Sequence, residues 1–253
     1  MNGFAVFLRK ELREQFKTSR IVIVAAVFLF FGFCTPLLIK YMPEILELAG
    51  PSGMTIEMLP PTSGQALAEY AGTMSQVGVL VAVLMAMGAV AREVESGTAV
   101  LVLSKPVGRL AFIIAKLTAG SFNFMVAVAL GGLACFGYTF ILFGDAAAMG
   151  FLWQNLLLWL FLVFCMSVTL FFSSLMKNSL AAGGLAVGVI ILLSAVSVLP
   201  WVGRVLPGTL ISWGNRLAMG IPGQSEWWAV TGALGLSALC VWLTWVTLRR
   251  KEL

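Results

Sequence analysis

RIVIVAAVFLFFGFCTPLLIK, from Arg20 to Lys40, is the stretch on which the fold turns. A cation stands at either end, and no charged residue interrupts Ile21 to Ile39. A helix needs about 20 predominantly apolar residues to cross a hydrocarbon core roughly 30 Å thick. A cleaved secretion signal also places basic residues before an apolar run. This run is too long for one, and Thr35-Pro36-Leu37-Leu38-Ile39-Lys40 supplies no small-x-small cleavage site. The segment 21–39 therefore reads as an uncleaved first membrane span.

Five further segments of the same kind follow. Segment 70–91 starts near Tyr70 or Met74 and ends sharply at Ala91, before Arg92. Segment 117–143 is stopped by Gly144 and Asp145, and is long enough that it should tilt or project from the membrane. Segments 151–176, 180–199 and 227–248 complete the set, the last ahead of Arg249, Arg250 and Lys251. The composition agrees: 60% of the 253 residues are hydrophobic and 11% charged, with a mean hydropathy of +0.99. Soluble domains carry roughly 25% charged residues, because a water-facing surface needs them. The expectation is one all-α polytopic membrane domain, 1–253, with six transmembrane helices.

Orientation follows from the placement of Lys and Arg. With the N-terminus inside, the cytosolic segments hold Arg9, Lys10, Arg13, Lys17, Arg20, Arg92, Lys105, Arg109, Lys116, Lys177, Arg249, Arg250 and Lys251, thirteen of the sixteen basic residues. The outer segments keep Lys40, Arg204 and Arg216 against six acids: Glu44, Glu47, Glu57, Glu69, Asp145 and Glu226. Both termini are expected in the cytosol.

Three segments are not spans. In residues 1–20, Phe4, Ala5, Phe7, Leu8, Leu12 and Phe16 share one half of a helical wheel, while Arg9, Lys10, Arg13 and Lys17 cluster on the other. That division suits a helix lying in the inner interface with its cations near anionic headgroups, or an ordinary basic flank of the first span. Glu11 falls on the apolar side and breaks the pattern. Segment 92–116 carries an apolar run, Thr98 to Leu103, far too short to cross and set between charged clusters. Such a run wants a partner surface, lipid or protein, unless it is a plain cytosolic loop. Segment 200–225 has Pro200, Pro207 and Pro222, yet also Trp201, Leu206, Leu210 and Trp213. It is too broken for a span and too apolar for a solvated loop, so it reads as short outer helices dipping back into the membrane or as an interfacial anchor.

Much chemistry is excluded. There is no histidine, which removes His-based general bases, Ser-His and Cys-His nucleophiles and His-ligated metals. Cys34, Cys135, Cys165 and Cys240 stand singly in apolar runs and read as small hydrophobes. No Asp, Glu, Lys or Arg lies mid-span, which disfavours an ion-coupled carrier. Gly203 to Thr209 resembles a phosphate-binding loop only superficially, since it lacks the lysine and faces outward. No catalytic residue, metal site or nucleic-acid partner is expected, and any energy source must come from another chain. Small residues recur at four-residue spacing at Ala82 and Ala86, Ala127 and Gly131, and Gly184 and Gly188. The fifth span, with Gly183, Gly184 and Gly188, is the expected packing face.

Together, the Lys10-Glu11-Leu12-Arg13 run on a basic amphipathic helix and the six spans are one part of a family resemblance. The other is Glu93-x-Glu95-Ser96-Gly97-Thr98 with Leu103-Ser104-Lys105-Pro106-Val107-x-Arg109 and Lys116. They resemble the membrane subunits of ABC type 2 exporters, such as permeases of nitrous-oxide-reductase maturation and of sodium or antibiotic export. The resemblance implies two permease copies, identical or paralogous, around a central pathway, above two cytosolic ATPases that hold ATP and magnesium. It makes 92–116 the coupling segment, with Glu93, Glu95, Ser96, Gly97, Thr98, Leu101, Leu103, Ser104, Lys105, Pro106 and Arg109 meeting the ATPase. It also makes 1–20 the connecting helix on membrane lipids, 200–225 the re-entrant outer segment, and a prokaryotic cell membrane the location. Two other classes remain: a secondary transporter or channel working without an ATPase, and a membrane assembly scaffold.

Overall fold

The computed structural model describes residues 3–49, 60–91, 108–199 and 201–250. Among these residues the fold is all helical. Helix α1, Gly3–Lys17, is followed by α2, Arg20–Ala49, and α3, Ser63–Ala86. Then come α4, Arg109–Phe143; α5, Ala148–Leu175; and α6, Ser179–Val196. A single 3₁₀ turn, Gly203–Val205, leads to the short α7, Thr209–Ala218, and the chain closes with α8, Trp227–Arg250. Six of these, α2 to α6 and α8, are long and apolar enough to span a membrane.

Chain stops coincide with backbone chemistry. Ser19 adopts a left-handed φ of 55° between α1 and α2, which lets the amphipathic helix break away from the first span. Gly144, at φ 81°, ends α4 in a left-handed cap whose N–H returns to the Phe140 carbonyl. Helix α3 starts at Ser63, ahead of the apolar run that begins near Tyr70. Thr62 and Gln65 form a reciprocal capping box there, and Ala66, Leu67 and Ala68 are buried at once. Helix α2 likewise runs past Lys40 to Ala49 despite Pro36 and Pro43, because extending a formed helix costs little beside nucleating one. Residues 41–49, expected in the outer segment after the first span, are therefore helix. At 35 residues, α4 is about 52 Å long at 1.5 Å per residue. That exceeds the hydrocarbon thickness, as its long apolar run suggested.

Helix α5 is the hub, packing on α3, α4, α6, α7 and α8. Of its most apolar 18-residue window 67% is buried, against 22% for α6 and for α8, which sit at the periphery. The most extensive pairing is α2 on α4, and it rests on two glycines. A Cβ at Gly131 would lie 2.7 Å from both the Phe28 carbonyl oxygen and the Tyr70 hydroxyl. One at Gly32 would lie 2.5 Å from the Gly131 carbonyl oxygen. Close backbone approach of this kind replaces the missing hydrophobic drive between helices in lipid. Outward-facing Val22, Phe30, Leu84, Leu133, Ile141 and Leu192 leave the bundle surface apolar.

At the Gly144 end of the bundle, α7 lies on α5 and α3. The Gln154 Nε2 donates to the Leu67 carbonyl at 3.1 Å and to Asn215 Oδ1 at 2.9 Å, tying three helices. Trp213 is buried and meets Trp227 edge-on at 5.4 Å, while Trp201 is 92% exposed.

Candidate functional site

At the opposite end of the bundle, α1, the start of α4, the end of α3 and the end of α8 converge. Helix α1 has three faces. Phe4, Phe7, Leu8 and Leu12 are half-buried, and Phe7 meets Phe112 of α4 edge-on at 6.0 Å. Arg9, Lys10, Arg13 and Lys17 are exposed as one cationic strip. Phe16, 60% exposed, and Ala5 lie between these faces, pointing away from the protein. An apolar edge beside cations is the arrangement an interfacial helix needs.

Glu11, which breaks the amphipathic pattern, is buried rather than misplaced. Its Oε1 sits 3.0 Å from the Lys116 Nζ of α4, with side-chain exposures of 11% and 7%. One turn along α1, Gln15 Oε1 accepts from Asn123 Nδ2, a wholly buried residue of α4. The Lys116 ammonium also lies over the Phe112 ring, 4.9 Å from its centroid. Removing one partner of a buried pair exposes the other's desolvation cost, about 3–5 kcal/mol. These polar contacts tie α1 to α4 alongside its apolar edge. Glu11, Glu14, Gln15, Arg20 and Lys116 line a cavity of about 240 Å³ closed by the end of α3 and by Met166.

The segment predicted to couple to an ATPase falls largely outside the described residues: Glu93, Glu95, Ser96, Gly97, Thr98, Leu101, Leu103, Ser104, Lys105 and Pro106. Its two roots are described, and each is held by a side chain from elsewhere. Helix α3 yields at Ala86 to turns through Val90, where Gly88 weakens helix continuation. There the buried Ser173 of α5 accepts from the Val90 and Ala91 N–H groups, both at 3.1 Å, and donates to the Met87 carbonyl at 2.8 Å. One hydroxyl thus satisfies three backbone groups that the helix break leaves open. At the other root Arg109, the first residue of α4, donates Nη1 to the Leu248 carbonyl of α8 at 2.7 Å.

The three glycines of α6 divide. Gly183 is buried against Val83 of α3 and Met87 just after it, whereas a Cβ at Gly184 or Gly188 would meet none of the described residues within 4 Å. Among the described residues no cluster of Cys, Asp and Glu is disposed to hold a metal. All four cysteines are free.

Sequence reasoning gave no role to Glu11, Gln15, Asn123 or Ser173. A signal existed for the first two: polar residues at i and i+4, on the same side of the wheel as Phe7, mark a bundle-facing polar line. None existed for Ser173, whose partners are backbone groups of a distant helix.

A family model described as ABC-2 family transporter protein matches residues 5–208. An uncharacterized transmembrane protein of Bacillus subtilis (strain 168), YxlG, is 26% identical over 247 residues, covering 96% of this chain and 94% of its own length.

Proposed function

We propose, on the premise that the chain belongs to the ABC-2 transporter family, that it is the permease subunit of an ATP-driven exporter. It is a multi-pass protein of the prokaryotic cell membrane, a transport subunit of an ABC transporter rather than a catalytic chain. In the proposed assembly two permeases, identical or paralogous, form the pathway, and cytosolic ABC ATPases bind ATP and magnesium beneath them. The family match carries this reading, because residues 5–208 take in α1, both roots of segment 92–107 and all but the last span. The positive-inside distribution puts those roots and both termini in the cytosol. Motion of a docked ATPase would then reach α5 through Ser173 and α8 through Arg109.

Purified alone, the chain should turn over ATP only at background, and together with its cassette partner it should show cargo-stimulated hydrolysis. Genuine hydrolysis by the pure chain refutes the assignment. Transport in liposomes without any ATPase identifies a secondary transporter or channel instead. Partner binding with no transport identifies a scaffold.

The dimer is proposed to form along α6. Since Gly184 faces open space, Gly184→Leu should leave the protomer folded and weaken self-association. An overpacked contact costs about 1–3 kcal/mol, roughly five- to 150-fold in affinity. Gly131→Leu, between Phe28 and Tyr70, should instead unfold the protomer. Cross-linking in detergent alongside thermal melts separates the two. Unchanged cross-linking for Gly184→Leu removes α6 from the interface.

A further inference from the structure

We infer that the cavity between α1, α3 and α4 binds the headgroup of a zwitterionic phospholipid carrying a primary ammonium, such as phosphatidylethanolamine. At about 240 Å³ it is far larger than the ~10–15 Å³ that one water needs. Among the described residues its lining carries two carboxylates, Glu11 and Glu14, and two cations, Arg20 and Lys116. Glu11 and Lys116 pair at 3.0 Å. Glu14 and Arg20 also line it, yet among the described residues they form no ion pair with each other or with another group. A half-buried carboxylate and a half-buried guanidinium that share a cavity without meeting are placed to take the two ends of one ligand. An anion alone would meet Glu14 unfavourably, and a cation alone would meet Arg20. A phosphodiester joined to a primary ammonium satisfies both, the phosphate on the Arg20 fork and the ammonium on Glu14.

The apolar side of the cavity identifies the source as lipid rather than a soluble phosphoester. Leu84 lines the cavity and is 66% exposed on the outer surface of α3, and Leu80, one turn away, is 57% exposed. The wall of the site therefore continues as an apolar track along a membrane helix, which an acyl chain can follow. This placement rests on α1 lying at the inner membrane surface, as proposed above, but not on the chain being a transporter.

The test uses the full-length chain in nanodiscs of phosphatidylethanolamine with phosphatidylglycerol, or of phosphatidylcholine with phosphatidylglycerol. Lipid retained after detergent extraction is counted by native mass spectrometry. Retained phosphatidylethanolamine is expected to exceed phosphatidylcholine roughly ten-fold, because methylation removes every donor to Glu14. Glu14→Gln should erase that preference. Arg20→Lys, which keeps the topogenic charge but loses the fork, should reduce retention of both lipids. Thermal melts confirm that each variant is folded. Equal retention of the two lipids, or a preference untouched by Glu14→Gln, overturns the inference. So does competition by soluble glycerophosphoethanolamine at lipid-equivalent concentration, which makes the site one for a solute. If ATP turnover with a partner fails while the preference persists, the transport reading falls and the lipid site stands.

Discussion

Leu101→Glu is expected to insert normally and to purify without the ATPase. Leu101 is at the centre of Thr98 to Leu103, an apolar run with charged residues on either side of it. If that run enters a groove of the partner, a carboxylate at its centre is buried without a counter-charge. Truncating or mismatching a buried charge at an interface costs about 2–5 kcal/mol, chiefly through faster dissociation. That is roughly thirty- to several-thousand-fold in affinity, enough to lose a moderate complex during purification. Glu95→Ala should be milder, slowing association and its salt dependence while leaving the complex intact, because rim charges act mostly on the on-rate. Co-purification and transport-linked ATP turnover are the measurements. A fully coupled Leu101→Glu complex would make Thr98 to Leu103 part of an ordinary loop.

Glu11→Leu is expected to loosen α1 from the bundle. The substitution removes the carboxylate 3.0 Å from a buried ammonium, and breaking such a pair costs at most about 3–5 kcal/mol, part of it offset by the ammonium's contact with the Phe112 ring. For a chain of this size, that corresponds to a fall of roughly 10 °C in melting temperature. Glu11→Leu with Lys116→Met should recover much of the loss, since two apolar chains of similar volume often replace a buried pair without penalty. A single mutant that melts like the parent protein would show the pair to be water-screened and energetically minor. The transport consequence differs from that of Leu101→Glu: docking should survive, while ATP turnover becomes less dependent on cargo.

These expectations separate what residue types carry from what contacts carry. The glycine at 144 and the cations at 20 and 249 mark the span ends in the sequence because a left-handed cap and an interfacial charge are local devices. Gly131 and Gly184 look alike in sequence, each in a four-residue small-residue pair. Only the packing shows that Gly131 is clasped by Phe28 and Tyr70 while Gly184 faces open space. Ser63 as the start of α3 was legible from Thr62-x-x-Gln65, but a search for apolar length passes over a polar first turn.

By itself, the sequence determined the solvent, the six helices and their proposed orientation. Each follows from one-dimensional quantities: apolar length against bilayer thickness and the side on which cations fall. Only tertiary structure decided what the exceptions to that pattern do. Glu11, Gln15, Asn123 and Ser173 are polar residues whose worth depends on a partner distant in sequence. In a low-dielectric interior an unmet polar group is costly and a met one is a lock. The pairing of Glu11 with Lys116, of Gln15 with Asn123, of Ser173 with the end of α3 and of Arg109 with Leu248 sets how the end of the bundle that holds segment 92–107 is held together.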